Sequence, residues 1–201
     1  MLIINLKHLI SRKKIKILIK ILFFSCFTMI VSGYFFGIDK IFVLPVDKMD
    51  VKDYNQQSFW YGPWGKSIVH KGVDIFGKIG TDVFSSTPGI VIFKGKNKIG
   101  GNAIMILGPD LKVHYYAHLK SINTTLFSIV HSGDKIGTLG DTGNAKGRPA
   151  HLHYGINTLF PFFWNIDFSK RHGLRKMFYI DPIPYLNEKL NFKRRKSKKK
   201  I

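Results

Sequence analysis

Two short histidine motifs contain the side chains in this sequence that are best suited to bind a metal ion or to transfer protons. His151 and His153 are separated by one residue, and in a β-strand residues two apart project from the same face. His70 precedes Asp74 by four residues, with Gly72 between them. We expect a strand end, a tight turn at Gly72 and a second strand to direct both side chains toward one point. Alone, the first motif is more typical of two core or surface histidines, and the second is also compatible with an ordinary ion pair on a turn.

Taken together, His70, Asp74 and His153 offer two imidazoles and one carboxylate. Three protein ligands with a fourth position left to water is the pattern of catalytic zinc sites, whereas structural zinc sites are closed by a fourth ligand, usually cysteine. The chain has a single cysteine, which excludes a Cys-based zinc site and an intrachain disulfide. His118 and His151 then remain available for proton transfer or for support of the ligands.

The elements that must position these residues read as short β-strands. Apolar, β-branched runs are separated by glycine-containing turns every 8–12 residues, and no helical periodicity accompanies them. This pattern predicts an antiparallel, mainly β domain. The predicted strands cover residues 67–70, 73–76, 82–85, 90–94, 103–107, 112–119 and 136–139.

The charge of the chain is concentrated at its ends. Lys and Arg number 32 against 12 Asp and Glu, a formal net charge of +20, but every acidic residue lies between positions 39 and 188. That stretch holds 18 of the basic residues, so its net charge is +6, and the other 14 lie outside it. No nucleic-acid-binding motif accompanies the charge, so we expect no nucleic acid partner. The basic segments at the two ends could attract the chain to an anionic cell surface, or could simply increase its solubility.

An uncharged segment near the N-terminus predicts that the chain is targeted to a membrane. Residues 21–38 are 18 residues without charge, and as a helix they would span about 27 Å of the roughly 30 Å hydrocarbon core. The basic segment 1–20 before them places the N-terminus in the cytoplasm. The sequence predicts a retained transmembrane anchor, with a signal peptide cleaved near residues 31–33 as the alternative. Both interpretations place residues 40–201 outside the cytoplasm, tethered to the membrane or secreted.

Three motifs in a fixed order carry a family resemblance. They are HKGVD at 70–74, YAHL at 116–119 and HLHY at 151–154, with a glycine-rich segment at 130–144 before the last. In this order they resemble the lysostaphin/LytM-type zinc metallopeptidases, the M23 family of peptidoglycan endopeptidases. The resemblance covers residues 60–186. The three motifs in this order, together with the glycine-rich segment, are far more specific than any single motif.

The resemblance implies both a fold and a set of site residues. It implies an antiparallel β-sandwich domain of the LytM, or duplicated hybrid motif, type. It makes His70, Asp74 and His153 the ligands of one Zn²⁺ per chain, and His118 and His151 the catalytic pair. Zinc would lower the pKa of a water molecule to about 7. We expect His151 to act as base and His118 to stabilise the oxyanion, with exchange of these roles left open.

The resemblance also divides the chain and marks what is unusual in it. A linker at 39–59 and a basic tail at 187–201 flank the peptidase domain at 60–186. An insertion at 159–178 is rich in aromatic and basic residues. It could wall a substrate groove, touch a membrane, contact a partner or simply pack. His114 lies four residues before the catalytic histidine of the same strand, so we expect the two on one face.

Three functions fit these observations. The first is a zinc endopeptidase that cleaves stem peptides or cross-links of peptidoglycan in the bacterial cell envelope. The second is a catalytically inactive LytM-like scaffold that activates other wall hydrolases. Such relatives typically lack ligands or catalytic histidines, whereas all five residues are present here. The third is a basic, membrane-associated binding protein with incidental histidines. The sequence predicts neither the bond that is cut nor the oligomeric state.

Overall fold

The computed structural model describes residues 12–35, 42–109 and 111–198, and the chain divides into two compact units, Met1–Gly37 and Ile38–Ile201. In the first unit, helix α1 (Arg12–Phe35) has all its charged residues before residue 21, which leaves 15 uncharged residues. Among the described residues, no helix combines the length and apolar character required to cross a membrane. The transmembrane prediction for 21–38 is therefore not confirmed. Residues 36–38 of it, and 1–11 of the predicted cytoplasmic segment, lie outside the described residues.

The described residues of the second unit form ten strands in two antiparallel sheets, which confirms the mainly β prediction. The larger sheet has the order β1-β9-β5-β4-β3-β7, with β10 also beside β9, and the smaller has the order β2-β8-β6. The strands are β1 (Val73–Phe76), β2 (Asp82–Phe84), β3 (Gly89–Asn97), β4 (Gly101–Leu107), β5 (Lys112–Leu119), β6 (Ser121–Ile122), β7 (Ile129–Val130), β8 (Lys135–Thr138), β9 (His151–Thr158) and β10 (Tyr179–Ile180).

Alternation along the strands of the larger sheet separates its two faces. Even-numbered residues of β9, such as Leu152, Tyr154 and Ile156, are buried in one core cluster with residues of the smaller sheet, including Val83 and Ile136. The odd-numbered residues of β9 project from the opposite face, because successive side chains of a strand point to opposite sides. The core thus lies on one face of the large sheet, and the other face is left for the site.

One predicted strand is wrong. Residues 67–70 do not form a strand; Gly65–Ser67 is a short 3₁₀ turn, and Trp64 instead makes an isolated bridge to Ile68. Ile68 has a φ of 67°, in the left-handed region that is costly for a β-branched residue, so the chain turns sharply here. Apolar alternation over four residues cannot reveal such a turn.

The segments predicted to flank the domain pack against it. In the predicted linker 39–59, Phe42, Val46, Met49 and Tyr54 are buried in the core. The predicted basic tail 187–201 begins inside helix α2 (Ile183–Lys198), whose apolar residues recur at helical spacing and are buried. These helix residues are Ile183, Leu186 and Leu190. The folded domain therefore extends beyond both ends of the predicted 60–186 range, while residues 191–196 are exposed and basic.

The insertion at 159–178 is an ordered loop containing two 3₁₀ turns, Phe163–Asn165 and Gly173–Phe178. The Phe162 amide donates to the Met177 carbonyl at 2.7 Å, and the backbone at Gly173 approaches Asp167 so closely that a Cβ atom would clash. Its backbone is thus fixed, yet Phe168 remains 85% exposed. Phe163 and Leu174 of this loop are exposed as well.

Candidate metal centre and active site

Three side chains converge on one point at the open face of the large sheet. Asp74 Oδ1 lies 3.0 Å from His70 Nε2 and 2.8 Å from His153 Nδ1, and the two ring nitrogens are 3.1 Å apart. These are the three residues that the sequence predicts as ligands, and among the described residues they form a group whose donor atoms could hold a metal ion. His70 is fully buried, while Asp74 and His153 keep partial exposure.

The backbone positions these three side chains in two ways. Asp74 and His153 are direct neighbours across the β1–β9 ladder. His70 lies outside a strand and is held by two backbone hydrogen bonds, from the Trp60 amide to its carbonyl at 2.7 Å and from its amide to Tyr61 at 2.8 Å. Between His70 and Asp74, a Cβ on Gly72 would lie 2.3 Å from the Tyr154 carbonyl oxygen, so this close approach requires glycine.

The donor set fits a divalent cation such as zinc. His70 Nδ1 lies 3.1 Å from the Ser58 carbonyl, which can only accept a hydrogen bond, so in the neutral ring Nε2 carries the lone pair that faces Asp74. A tetrahedral zinc with bonds of about 2.0–2.1 Å holds its ligand atoms about 3.3 Å apart. The observed separations of 2.8–3.1 Å are close to that value. Two imidazoles and one carboxylate leave the fourth position open.

The charge of Asp74 is balanced by its surroundings. Burial opposes ionisation of this carboxyl group, but its short polar contacts with the His153 and His70 rings outweigh burial and hold its pKa well below the ordinary value. Burial conversely lowers the pKa of His153, although Asp74 favours its charged form. Asp74 is therefore a carboxylate, and burial favours the neutral form of His153, as metal binding by these groups requires.

His118 and His151 lie beside the cluster with their rings 4.8 Å apart between centroids. His118 Nδ1 is 2.8 Å from the Thr142 carbonyl, and His151 Nδ1 is 2.8 Å from the Pro149 carbonyl. Because a carbonyl only accepts, each Nδ1 carries hydrogen and each neutral ring keeps a lone pair on Nε2. Burial lowers the pKa of His118 to about 4, although its Thr142 bond favours the charged form. Both rings are thus set as proton acceptors.

A backbone irregularity brings His118 to the groove. Val113, Tyr115 and Ala117 of β5 line the open face, so strict alternation would send His118 to the core. His118 instead has a φ of 64°, in the left-handed region, which turns its side chain toward the same face as its neighbours. The departure costs about 1–3 kcal/mol and is typical of functional sites.

His114, which we expected on the same face as His118, lies on the other side. Its Nδ1 is 2.7 Å from the Tyr154 hydroxyl in the core, and burial, with a smaller contribution from Lys112, lowers its pKa to about 3. The expectation is wrong because alternation holds from His114 to Ala117 and breaks at His118. His114 has a structural environment.

The groove over the cluster has a volume of about 270 Å³. Trp64 forms one wall and stacks on His70, with 4.2 Å between ring centroids. The aromatic residues before the first motif therefore have different environments. Trp64 lines the groove, Tyr61 is exposed, and Trp60 is buried. The Trp60 indole donates to the Arg171 carbonyl at 3.2 Å, which ties the insertion to the segment that carries His70.

Sequence reasoning missed several contributors to the site. Tyr115, Lys71 and Asn157 line the groove, and the first could have been found from its position two residues before Ala117 on the same strand. The carbonyl groups of Ser58, Thr142 and Pro149 fix the histidine tautomers. Because these are backbone atoms in irregular segments, no residue type marks them.

Comparison with known proteins agrees with this geometry. Residues 68–161 match the sequence profile of Peptidase family M23. The chain contains a peptidase family M23 domain. All five predicted site residues lie within the matched range.

The matched relatives include an endopeptidase and lysostaphin. This chain is 34% identical over 157 residues to the L-Ala–D-Glu endopeptidase of Bacillus subtilis (strain 168), which covers 72% of this chain and 44% of the relative. It is 29% identical over 150 residues to lysostaphin of Staphylococcus simulans, covering 68% of this chain and 29% of the relative. The chain thus spans less than half the length of these curated relatives.

Solved structures support the same M23 domain. The catalytic domain of lysostaphin from Staphylococcus simulans superposes with a TM-score of 0.52 at 27% identity, over 70% of this chain and 99% of that one. A structure named as a putative glycyl-glycine endopeptidase lytM from Ruminococcus gnavus gives a TM-score of 0.58 at 26% identity, over 75% of this chain and 61% of that one.

Proposed function

We propose that the domain is a zinc-dependent metalloendopeptidase that hydrolyses peptide bonds in the stems or cross-links of peptidoglycan. The observation that carries the proposal is the meeting of His70 Nε2, Asp74 Oδ1 and His153 Nδ1 within 3.1 Å of one another, beside two further histidines. The M23 match and the endopeptidase relatives support a peptidase. The substrate is proposed from those relatives.

The three clustered residues would hold the metal. Zinc bound there supplies Lewis acidity, which makes a water molecule more acidic and polarises a peptide carbonyl. His70 and Asp74 would be oriented before the metal arrives, since Ser58 fixes one ring and the β1–β9 ladder fixes the carboxylate. Such support normally raises metal affinity, because ligands held in place lose little freedom on binding.

We assign proton transfer to His151. Its Nε2 is free to accept a proton from water, because its Nδ1 hydrogen is donated to Pro149. Once protonated, the ring would lie 3.8 Å from Asp74 Oδ2, and this carboxylate would stabilise the imidazolium. The same proton can pass to the leaving amine, so that the base of the first step becomes the acid of the second.

We assign His118 to the developing oxyanion, with exchange of roles between His118 and His151 left open. Its Nδ1 hydrogen is committed to Thr142 and its neutral Nε2 is an acceptor, so His118 would donate to the oxyanion only after Nε2 accepts a proton released during the reaction. The groove residues around it, Tyr115 and Ala117, exclude part of the solvent. Electrostatic interactions with the charge that develops during reaction are thereby strengthened.

We further propose that the domain acts outside the cytoplasm, in the bacterial cell envelope. Peptidoglycan lies there, and the positive charge of the N-terminal residues favours export of the domain behind them. The proposal is tested by protease treatment of intact spheroplasts, which should degrade residues 42–198. Protection of the domain until the membrane is lysed would contradict it.

The test of the proposed activity uses the full chain, purified without metal and then loaded with zinc. Metal content is measured by atomic absorption, and hydrolysis by the release of new amino groups from purified peptidoglycan. One zinc per chain with release of amino groups is the expected result. One zinc without release would favour the scaffold function, and failure to bind zinc would overturn the metal site.

A further inference from the structure

The groove carries cationic side chains that metal binding and proton transfer do not use. Lys71 and Arg148 both line it, the first half-buried and the second exposed. Lys71 directly follows the ligand His70 in sequence, and Arg148 comes three residues before His151. The two cations therefore enter the groove from the two segments that supply its reactive groups.

The negative charge in the groove already has partners within the site. Among the described residues that line it, Asp74 is the only acidic one, and it is hydrogen-bonded to both His70 and His153. Neither Lys71 nor Arg148 forms an ion pair within the described part of the chain. A bound divalent cation would add further positive charge, so an anionic ligand would be attracted to the groove.

The position of the Lys71 ammonium group is restricted by its neighbours. Its Nζ lies 5.6 Å from the centroid of the Tyr179 ring, a contact that holds the long side chain against the groove wall. Arg175 acts on it as a nearby like charge, which makes this edge of the groove more positive. A partly buried ammonium beside a like charge is stabilised when a carboxylate binds next to it.

Arg148 is held at its backbone rather than its side chain. Its amide donates to the Ala145 carbonyl at 2.9 Å, and the next residue, Pro149, supplies the carbonyl that binds His151 Nδ1. The guanidinium is therefore carried on a segment fixed to the catalytic histidine. Guanidinium groups bind carboxylates through two parallel hydrogen bonds, which adds geometric selectivity.

We infer that Lys71 and Arg148 form a subsite for a carboxylate of the substrate, so that the groove selects peptides with an acidic residue next to the bond that is cut. This inference rests on the proposed function and adds the substrate class to it. A groove with these two cations should discriminate against wholly neutral peptides, such as runs of glycine.

The test compares two short peptides that differ only in one Glu or Gln next to the cleaved bond. Binding is measured by calorimetry with the metal-free full chain, and kcat/KM with the zinc-loaded chain. The Glu peptide should be preferred by about 10-fold to 100-fold, which is the usual value of a hydrogen bond to a charged group. Replacing either cation, as Lys71→Met or Arg148→Met, should reduce the preference toward unity.

Two matched lysines outside the groove serve as controls. Lys146→Met alters the same loop as Arg148, and Lys78→Met removes an exposed lysine shortly after β1; both should keep the full preference. Loss of preference in these controls would show a general charge effect and overturn the subsite. In Lys71→Glu the preference should reverse in favour of Gln, which excludes simple misfolding.

The outcomes separate the subsite from the catalytic proposal. Hydrolysis of both peptides at equal rates would overturn the subsite and leave the peptidase intact. A Glu preference in binding without hydrolysis would overturn the peptidase and support the subsite. A preference that exists only with zinc would show that the carboxylate binds the metal, and would overturn the assignment to Lys71 and Arg148.

Discussion

His114 and His118 occupy two regions of one strand and have opposite environments. His114 faces the core, where its Nδ1 is hydrogen-bonded to the Tyr154 hydroxyl, and His118 faces the groove beside His151. Burial lowers the pKa of both rings, to about 3 and about 4 respectively. A perturbed pKa therefore does not distinguish a structural histidine from a reactive one. Access to the groove and a free nitrogen make that distinction.

The ligand cluster gives the largest expected effect. In Asp74→Asn the carboxylate that contacts both proposed ligand histidines becomes a neutral amide, so zinc content should fall well below one per chain. Hydrolysis should drop by at least about 1000-fold, since metal catalysis supplies several kcal/mol. Asp82→Asn, which removes an exposed carboxylate paired with Lys135, is the control and should keep both properties. Normal zinc content in Asp74→Asn would contradict the proposed ligand set.

Loss of the proposed base should come next in size. His151→Ala removes the Nε2 acceptor without removing a ligand, so one zinc should remain bound. The value of kcat for peptide hydrolysis should fall by about 10²-fold to 10⁴-fold, which is the usual contribution of general base catalysis. Loss of zinc in parallel with activity would instead place His151 among the metal ligands.

His114 should affect stability rather than catalysis. His114→Phe breaks the hydrogen bond to the buried Tyr154 hydroxyl, and we expect the free energy of unfolding to decrease by about 1–3 kcal/mol. Urea denaturation measures this change, and kcat at a temperature where the variant is folded should match the parent. A large fall in kcat with unchanged stability would show that His114 takes part in catalysis.

The pH dependence of stability should differ between parent and variant by a smaller amount. The folded-state pKa of His114 is about 3, below its unfolded value of 6.5, so between these values the unfolded chain binds more protons at this position. The parent should therefore lose stability as the pH falls through this window, and His114→Phe should lose less. An equal fall in the free energy of unfolding of parent and variant between pH 7 and pH 5, measured by urea denaturation, would contradict the low pKa.

Much of the site could be predicted from residue types and their order. The β1–β9 pair brings Asp74 opposite His153, and side-chain alternation in β9 places His151 on the same face as His153. The common face of His151 and His153 follows from strand periodicity, whereas the meeting of Asp74 with His153 depends on pairing of distant segments and was expected only from the family resemblance. The position of His70 also follows from the glycine turn, although the turn lies after an irregular segment rather than a strand.

The features that could not be predicted depend on local backbone conformation and on contacts distant in sequence. The positive φ of His118 reverses its face, and no residue type in the YAHL segment indicates a left-handed residue. Helix α2 is amphipathic only over its first half. Its second half is basic and lacks apolar residues at helical spacing, so the sequence pattern did not predict that the helix continues there. Burial of the predicted linker depends on packing against strands far along the chain, which a local pattern does not contain.

The most direct test of the division between ligands and catalytic histidines compares His118→Ala with His114→Ala in one assay. Zinc content and kcat/KM for peptidoglycan hydrolysis are measured on the same preparations of both variants and of the parent. All three should bind one zinc, His114→Ala should hydrolyse at about the parental rate, and His118→Ala should be slower by about 10²-fold or more. Equal rates for the two variants, or zinc loss in His118→Ala, would contradict the proposed role of His118.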